Sequence, residues 1–159
     1  MDAVLAALCT LAGTVVGALV QHLADTRRTQ AAALAAHRQD VREAVVALAS
    51  ALSVHRGHLY TRWDLAHSTT AGETETAEAR RAARASRGTV TGALYRLRVL
   101  SADRELLRAA TEAVGASYAV KAKGEDLTTV AEQDLAERYR RALAADDTLL
   151  TACATRLAP

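Results

Sequence analysis

The sequence predicts an all-α protein: an N-terminal transmembrane helix that continues into a three- or four-helix antiparallel bundle. Three observations carry this. Residues 3–20 form an apolar run without a charge. Apolar side chains then recur at alternating spacings of four and three from Val41 to Leu59, the period of a bundle or coiled-coil helix. Proline, which breaks helices, occurs only at Pro159, in a chain dominated by Ala, Arg, Val, Leu and Thr.

The apolar run is long enough to matter. At about 1.5 Å of rise per residue, residues 3–20 make about 27 Å of helix, close to the hydrocarbon thickness of a bilayer. Leu23 and Ala24 extend it by a turn, so residues 1–24 are read as a membrane anchor, with residues 3–24 in contact with lipid. A cleavable signal peptide would begin with positive charge and end on small residues; here Asp2 precedes the run and Gln21-His22-Leu23 follows it. Leu8-Cys9 lacks the small residue and the longer apolar stretch of a lipoprotein signal. An alanine-rich core helix of a bundle is the remaining competitor. Arg27, Arg28, Arg38 and Arg42 all lie after the run, and basic residues stay on the cytoplasmic side, which puts the N-terminus outside and the rest of the chain in the cytoplasm. Gly13 and Gly17 are spaced to let two such helices approach closely, predicting self-association through the span and a homo-oligomer.

After the anchor the pattern remains helical. Leu34, Val41, Leu48 and His55 recur every seven residues, and Val45, Leu52 and Leu59 complete the stripe. Residues 25–67 are therefore read as a helical stalk and first bundle helix, and the small, polar residues 68–75 as a loop. The remaining bundle helices occupy residues 76–159. The second, about Thr76 to Leu100, buries Val90, Leu94 and Leu97. Ser101, with Asp103 and Glu105 behind it, reads as the cap of a third helix that carries Leu106, Leu107, Ala110, Val114 and Tyr118 and stops at Lys121, Lys123 and Gly124. Thr129 and Glu132 have the spacing of a capping box for a fourth. Its expected buried line is Leu135, Tyr139, Leu143, Leu149 or Leu150, and Cys153.

No motif names a reaction. The sequence has no nucleophile elbow, phosphate-binding glycine loop, zinc knuckle or paired-carboxylate motif, which predicts a protein that is not an enzyme and takes no cofactor. His55 and His58 share a helix face near His67 and Asp64, but His55 falls on the apolar stripe, where a hydrogen-bonded core histidine is the commoner reason, so no metal site is assigned. Two cysteines, Cys9 and Cys153, make no disulfide framework. Trp63, between Arg62 and Asp64, is the one tryptophan; it either seals the bundle's end or anchors a partner. Arg80, Arg84 and Arg87 share a face in a segment whose one acid is Glu78, a face able to grip phosphate or remain solvated. Partner-binding candidates are thus Arg62, Trp63, Arg80, Arg84 and Arg87. A net charge of +2 does not by itself argue for nucleic acid.

An apolar N-terminal helix, an arginine-rich exit, the segment Val45-Val46-Ala47-Leu48-Ala49-Ser50-Ala51-Leu52, the pair His55-Arg56 and then Trp63-Asp64-Leu65 resemble the KilB-type proteins of streptomycete conjugative plasmids and their chromosomal relatives. The similarity is read over residues 1–100; the absence of a basic residue directly after Trp63 is a departure from the pattern. The resemblance implies a membrane-associated accessory of plasmid transfer or intramycelial spread, harmful when its expression is unregulated. It implies no catalytic residues. The expected function is a membrane-anchored scaffold acting by protein contact. Two other classes compete with it: a membrane-active, toxin-like protein whose span perturbs the bilayer, and a soluble nucleic-acid-binding bundle using the arginine face.

Overall fold

The computed structural model describes the backbone of residues 2–158 and the side chains of residues 21–22 and 25–158. Four α-helices follow one another: α1 (Asp2–His67), α2 (Glu73–Leu100), α3 (Arg104–Ala119) and α4 (Glu132–Arg156), with a single 3₁₀ turn, Leu127–Thr129, before the last. No strand occurs among the described residues. The chain divides into two compact units, residues 1–39 and 40–159.

The described side chains of the first unit are exposed, Leu34 included at 60%. Leu34 thus does not continue the stripe that begins at Val41, although it keeps the seven-residue spacing. Thr26 and Thr29 return their hydroxyls to the carbonyls of His22 and Asp25, at 2.8 and 2.9 Å. The predicted span, residues 3–24, lies outside the residues whose side chains are described, apart from Gln21 and His22, and so do Gly13 and Gly17. Among the described residues no helix is long and apolar enough to cross a membrane.

The second unit is a four-helix bundle. Val41, Val45, Leu48, Leu52, His55 and Leu59 of α1 are all buried, as their four-three spacing requires. The pairing of side chains along the helices fixes their directions. Arg42 reaches the Leu157 carbonyl, Arg56 pairs with Asp146, and Trp63 bonds Val130, so α4 runs antiparallel to α1. His55 meets Ser86 while α2 in turn meets α3 at Thr91–Tyr118 and Arg98–Thr111, again antiparallel. Arg156 binds Glu105 of α3 and Arg138 binds Glu125 in the connection after α3, which closes the ring between α4 and α3. Short connections between successive helices favour this up-and-down arrangement.

Helix ends follow local chemistry. Asp103, not Ser101, caps α3: its carboxylate accepts from the backbone N–H groups of Glu105 and Leu106 at 2.9 and 3.0 Å. Ser101 instead terminates α2, donating its N–H to the Leu97 carbonyl. A carboxylate two residues closer to the helix reaches the orphan donors that the serine hydroxyl cannot. Thr129 and Glu132 form no capping box either. Thr129 closes the 3₁₀ turn, which Asp126 caps, and α4 starts from Ala131 without a side-chain cap. The loop after α1 is shorter than residues 68–75, because Glu73 and Glu75 fall in the first turn of α2, where the helix dipole favours acids.

The core comes in two apolar clusters separated by a polar layer. Val41 to Leu52, Val90 to Leu97, Leu106 to Val114, Leu149 and Cys153 make the first. Leu59, Trp63, Ala83, Val120, Leu127, Val130, Leu135 and Ala142 make the second. Between them each helix contributes a buried polar residue: His55 and Arg56, Ser86, Ser117 and Asp146. Of the line expected on α4, Leu135, Leu149 and Cys153 are buried, and Asp146 marks where it departs. The buried face of α4 runs Leu135, Ala142, Asp146, Leu149 and Cys153, whereas Leu143 and Leu150 are 45% and 42% exposed. A carboxylate occupies the heptad position because Arg56 meets it inside.

Candidate functional site

Within the bundle, α1, α2 and the turn after α3 enclose a cleft of about 650 Å³. α1 supplies His55, Leu59 and Arg62; α2 supplies Ala83, Arg84 and Arg87; the turn supplies Lys121, Lys123 and Gly124, with Tyr118 before it. The i, i+3 spacing of Arg84 and Arg87 brings both to one face of α2. α3 ends at Ala119, so Lys121 and Lys123 sit not on a helix but on the turn around Gly124, whose φ of +80° suits glycine. A second hollow of about 270 Å³ shares Arg62 and Lys121 with the first and adds Arg80, Glu125 and Asp126.

The cleft is one-signed. Among the described residues no carboxylate lines it. Among the described residues none of Arg62, Arg80, Arg84, Arg87, Lys121 and Lys123 is in an ion pair, whereas Arg28, Arg56, Arg81, Arg108, Arg138, Arg141 and Arg156 are. Arg87 lies over the Tyr118 ring at 4.3 Å, and the Tyr118 hydroxyl donates to the Arg87 carbonyl at 3.3 Å, which fixes that wall. Burial, and then the like charges of Arg80 and Arg84, hold the Arg62 guanidinium below its ordinary proton affinity. The acids of the neighbouring hollow are bonded mainly outside the cleft, although Lys121 acts on both. Against a burial penalty, the Arg138 hydrogen bond at 2.8 Å and the Ala122 N–H keep the Glu125 carboxyl below the usual range.

His55 forms the cleft's inner wall at 4% exposure. Ser86 donates its hydroxyl to the Ala83 carbonyl at 3.0 Å, so its oxygen accepts from Nδ1–H of His55 at 2.9 Å. Burial first, then Arg87, His58 and Arg56, lower the His55 pKa to about 4. The imidazole is therefore neutral at neutral pH, a hydrogen-bonded core histidine as its place on the stripe suggested. His67 bonds the Trp63 carbonyl through Nδ1 at 2.9 Å and packs on the Trp63 ring at 4.4 Å. Among the described residues no group of His, Cys, Asp and Glu could hold a metal ion.

The residues singled out from the sequence thus separate. Arg62, Arg84 and Arg87 converge on the cleft, and Arg80 on its neighbour. Trp63 does not belong with them. It is 9% exposed, and its indole N–H donates to the Val130 carbonyl at 2.8 Å, so it closes the second apolar cluster rather than standing out to anchor a partner. Lys121 and Lys123 were missed. Their position near a helix end reads as dipole compensation, and only the turn at Gly124 brings them opposite α2.

Fold and cleft together define an α-helical bundle protein with a cationic cleft at one side. The chain belongs to the family of KilB plasmid transfer proteins, whose family model matches residues 42–157. The match covers the whole bundle, including α3 and α4, and leaves out the N-terminal residues on which part of the resemblance over residues 1–100 was read. No curated protein and no solved structure matches the chain.

Proposed function

We propose that this protein is a membrane-anchored, non-catalytic accessory of plasmid transfer. The family membership indicates the role in transfer, and the match over residues 42–157 is the observation that carries the reading. The uncharged run at residues 3–24 supports the anchor, and the basic residues after it support an external N-terminus with the bundle in the cytoplasm. Gly13 and Gly17 support self-association of the spans into a homo-oligomer. The bundle then acts by contact with a partner protein. Titratable groups of the interior serve the fold: the Arg56–Asp146 pair is held between helices, and burial raises the Cys153 thiol against the opposing effect of Arg42.

A mating assay tests the proposal. Removing the protein should reduce transfer or spread of the plasmid, full-length protein should restore it, and the chain lacking residues 1–24 should not. Full restoration by the truncated chain would contradict anchoring, and transfer undisturbed by removal would contradict the role itself.

A further inference from the structure

We propose that the cleft between α1, α2 and the Gly124 turn binds a small soluble ligand bearing two or more linked phosphates, held by Arg62, Arg84, Arg87, Lys121 and Lys123. The argument begins with charge. Those side chains come from separate walls of one cavity, and among the described residues none of them is in an ion pair and no acid lines the space they share; only Lys121 has carboxylates nearby, Glu125 and Asp126 of the neighbouring hollow. Like charges held together repel, and a bundle with acids to spare on α4 leaves the arginines of this cluster unpaired. A single-charged anion would offset only part of it. A chain of phosphates offsets most of it, and each arginine fork matches phosphate oxygens with two parallel hydrogen bonds.

Shape narrows the ligand class. The cations line an open cleft of about 650 Å³, within the range of sites for small molecules. A duplex or a membrane surface would instead meet cations on a ridge or a flat face. Leu59, Ala83 and the Tyr118 ring give the cavity an apolar lining beyond the phosphates, room for an organic group such as a nucleoside. The walls are also set before any ligand arrives: Arg87 rests on Tyr118 and His55 is bonded to Ser86. Burial and the like charges around Arg62 fit a site that waits for negative charge. The inference stands apart from the membrane proposal, since it concerns only the bundle and its test needs no partner.

Calorimetric titration of inorganic pyrophosphate into the purified full-length protein tests it. One pyrophosphate per chain is expected, bound more tightly than orthophosphate and less tightly as salt rises. Arg84→Ala and Lys123→Ala, both at exposed positions, should keep native helicity, and Arg84→Ala should weaken binding about tenfold. Arg62→Ala should do the same. Arg81→Ala, on the same helix but outside the cleft and paired with Glu78, should bind as the unaltered chain does. Absence of pyrophosphate binding, or binding that survives all three cleft substitutions, overturns the proposal. Arg84-dependent binding of phosphatidylglycerol vesicles without pyrophosphate binding overturns it in favour of a lipid headgroup. Arg84-dependent binding of an oligonucleotide alone overturns it in favour of nucleic acid.

Discussion

Substituting Asp146 by alanine should be among the most damaging single changes in the bundle. The Asp146 carboxylate meets Nη2 of Arg56 at 2.6 Å, with the two side chains 11% and 2% exposed. The pair is not fully satisfied: among the described residues Nε and Nη1 of Arg56 and Oδ1 of Asp146 have no hydrogen-bond partner. Tyr139 adds only a distant ring, 5.8 Å from the guanidinium. Removing the carboxylate leaves a buried cation without its counter-ion, which costs about 3–5 kcal/mol. That is a large part of the roughly 5–15 kcal/mol that holds a domain together. Because the native pair is incompletely bonded, replacing both partners by apolar residues, Arg56→Met with Asp146→Leu, should recover that loss and reach or exceed the original stability. Urea unfolding followed by Trp63 fluorescence and by helicity reports both values. A cost below about 1 kcal/mol for Asp146→Ala would refute the reasoning, and so would a double variant no more stable than the single one.

Three further outcomes follow from particular side chains. His55 is neutral when folded and has a pKa near 4 against an ordinary 6.5, so the unfolded chain binds more protons between those values. Stability supplied by His55 is complete above about pH 6.5 and falls as the pH drops towards 4, by at most about 3 kcal/mol; His55→Gln should flatten that part of a melting-temperature profile, and an unchanged slope would assign it to other groups. Asp103→Ala removes the α3 cap and should cost about 1 kcal/mol in urea unfolding, whereas Ser101→Ala should cost less. Trp63→Ala should destabilise the bundle by about 3–5 kcal/mol by emptying the second cluster, measured by helicity during unfolding; near-normal stability would mean the indole is not the plug its burial indicates.

Much of the bundle is legible in the sequence because burial follows period. The stripe from Val41 to Leu59 and the Val90, Leu94 and Leu97 line of α2 are buried as their spacing demands. Three features are not legible for identifiable reasons. Leu34 has the correct period but is exposed, and period alone does not decide burial. Asp146 sits on an apolar line because Arg56, far away in sequence, supplies its partner, and single-helix patterning does not register such a pair. The caps were misplaced by two residues because Ser101, Asp103, Thr129 and Glu132 all have capping chemistry, and backbone geometry decides among them. The cleft was half visible. The arginine face of α2 is plain in the sequence, while Lys121 and Lys123 join it only through the turn at Gly124.

Carbonate extraction of membranes containing the full-length protein, beside a chain starting at Asp25, tests the central claim most directly. The account predicts that the full-length protein stays in the membrane pellet, while the shorter chain is released and retains the helicity of the bundle. Release of the full-length protein into the supernatant would contradict the membrane anchor and with it the proposed site of action.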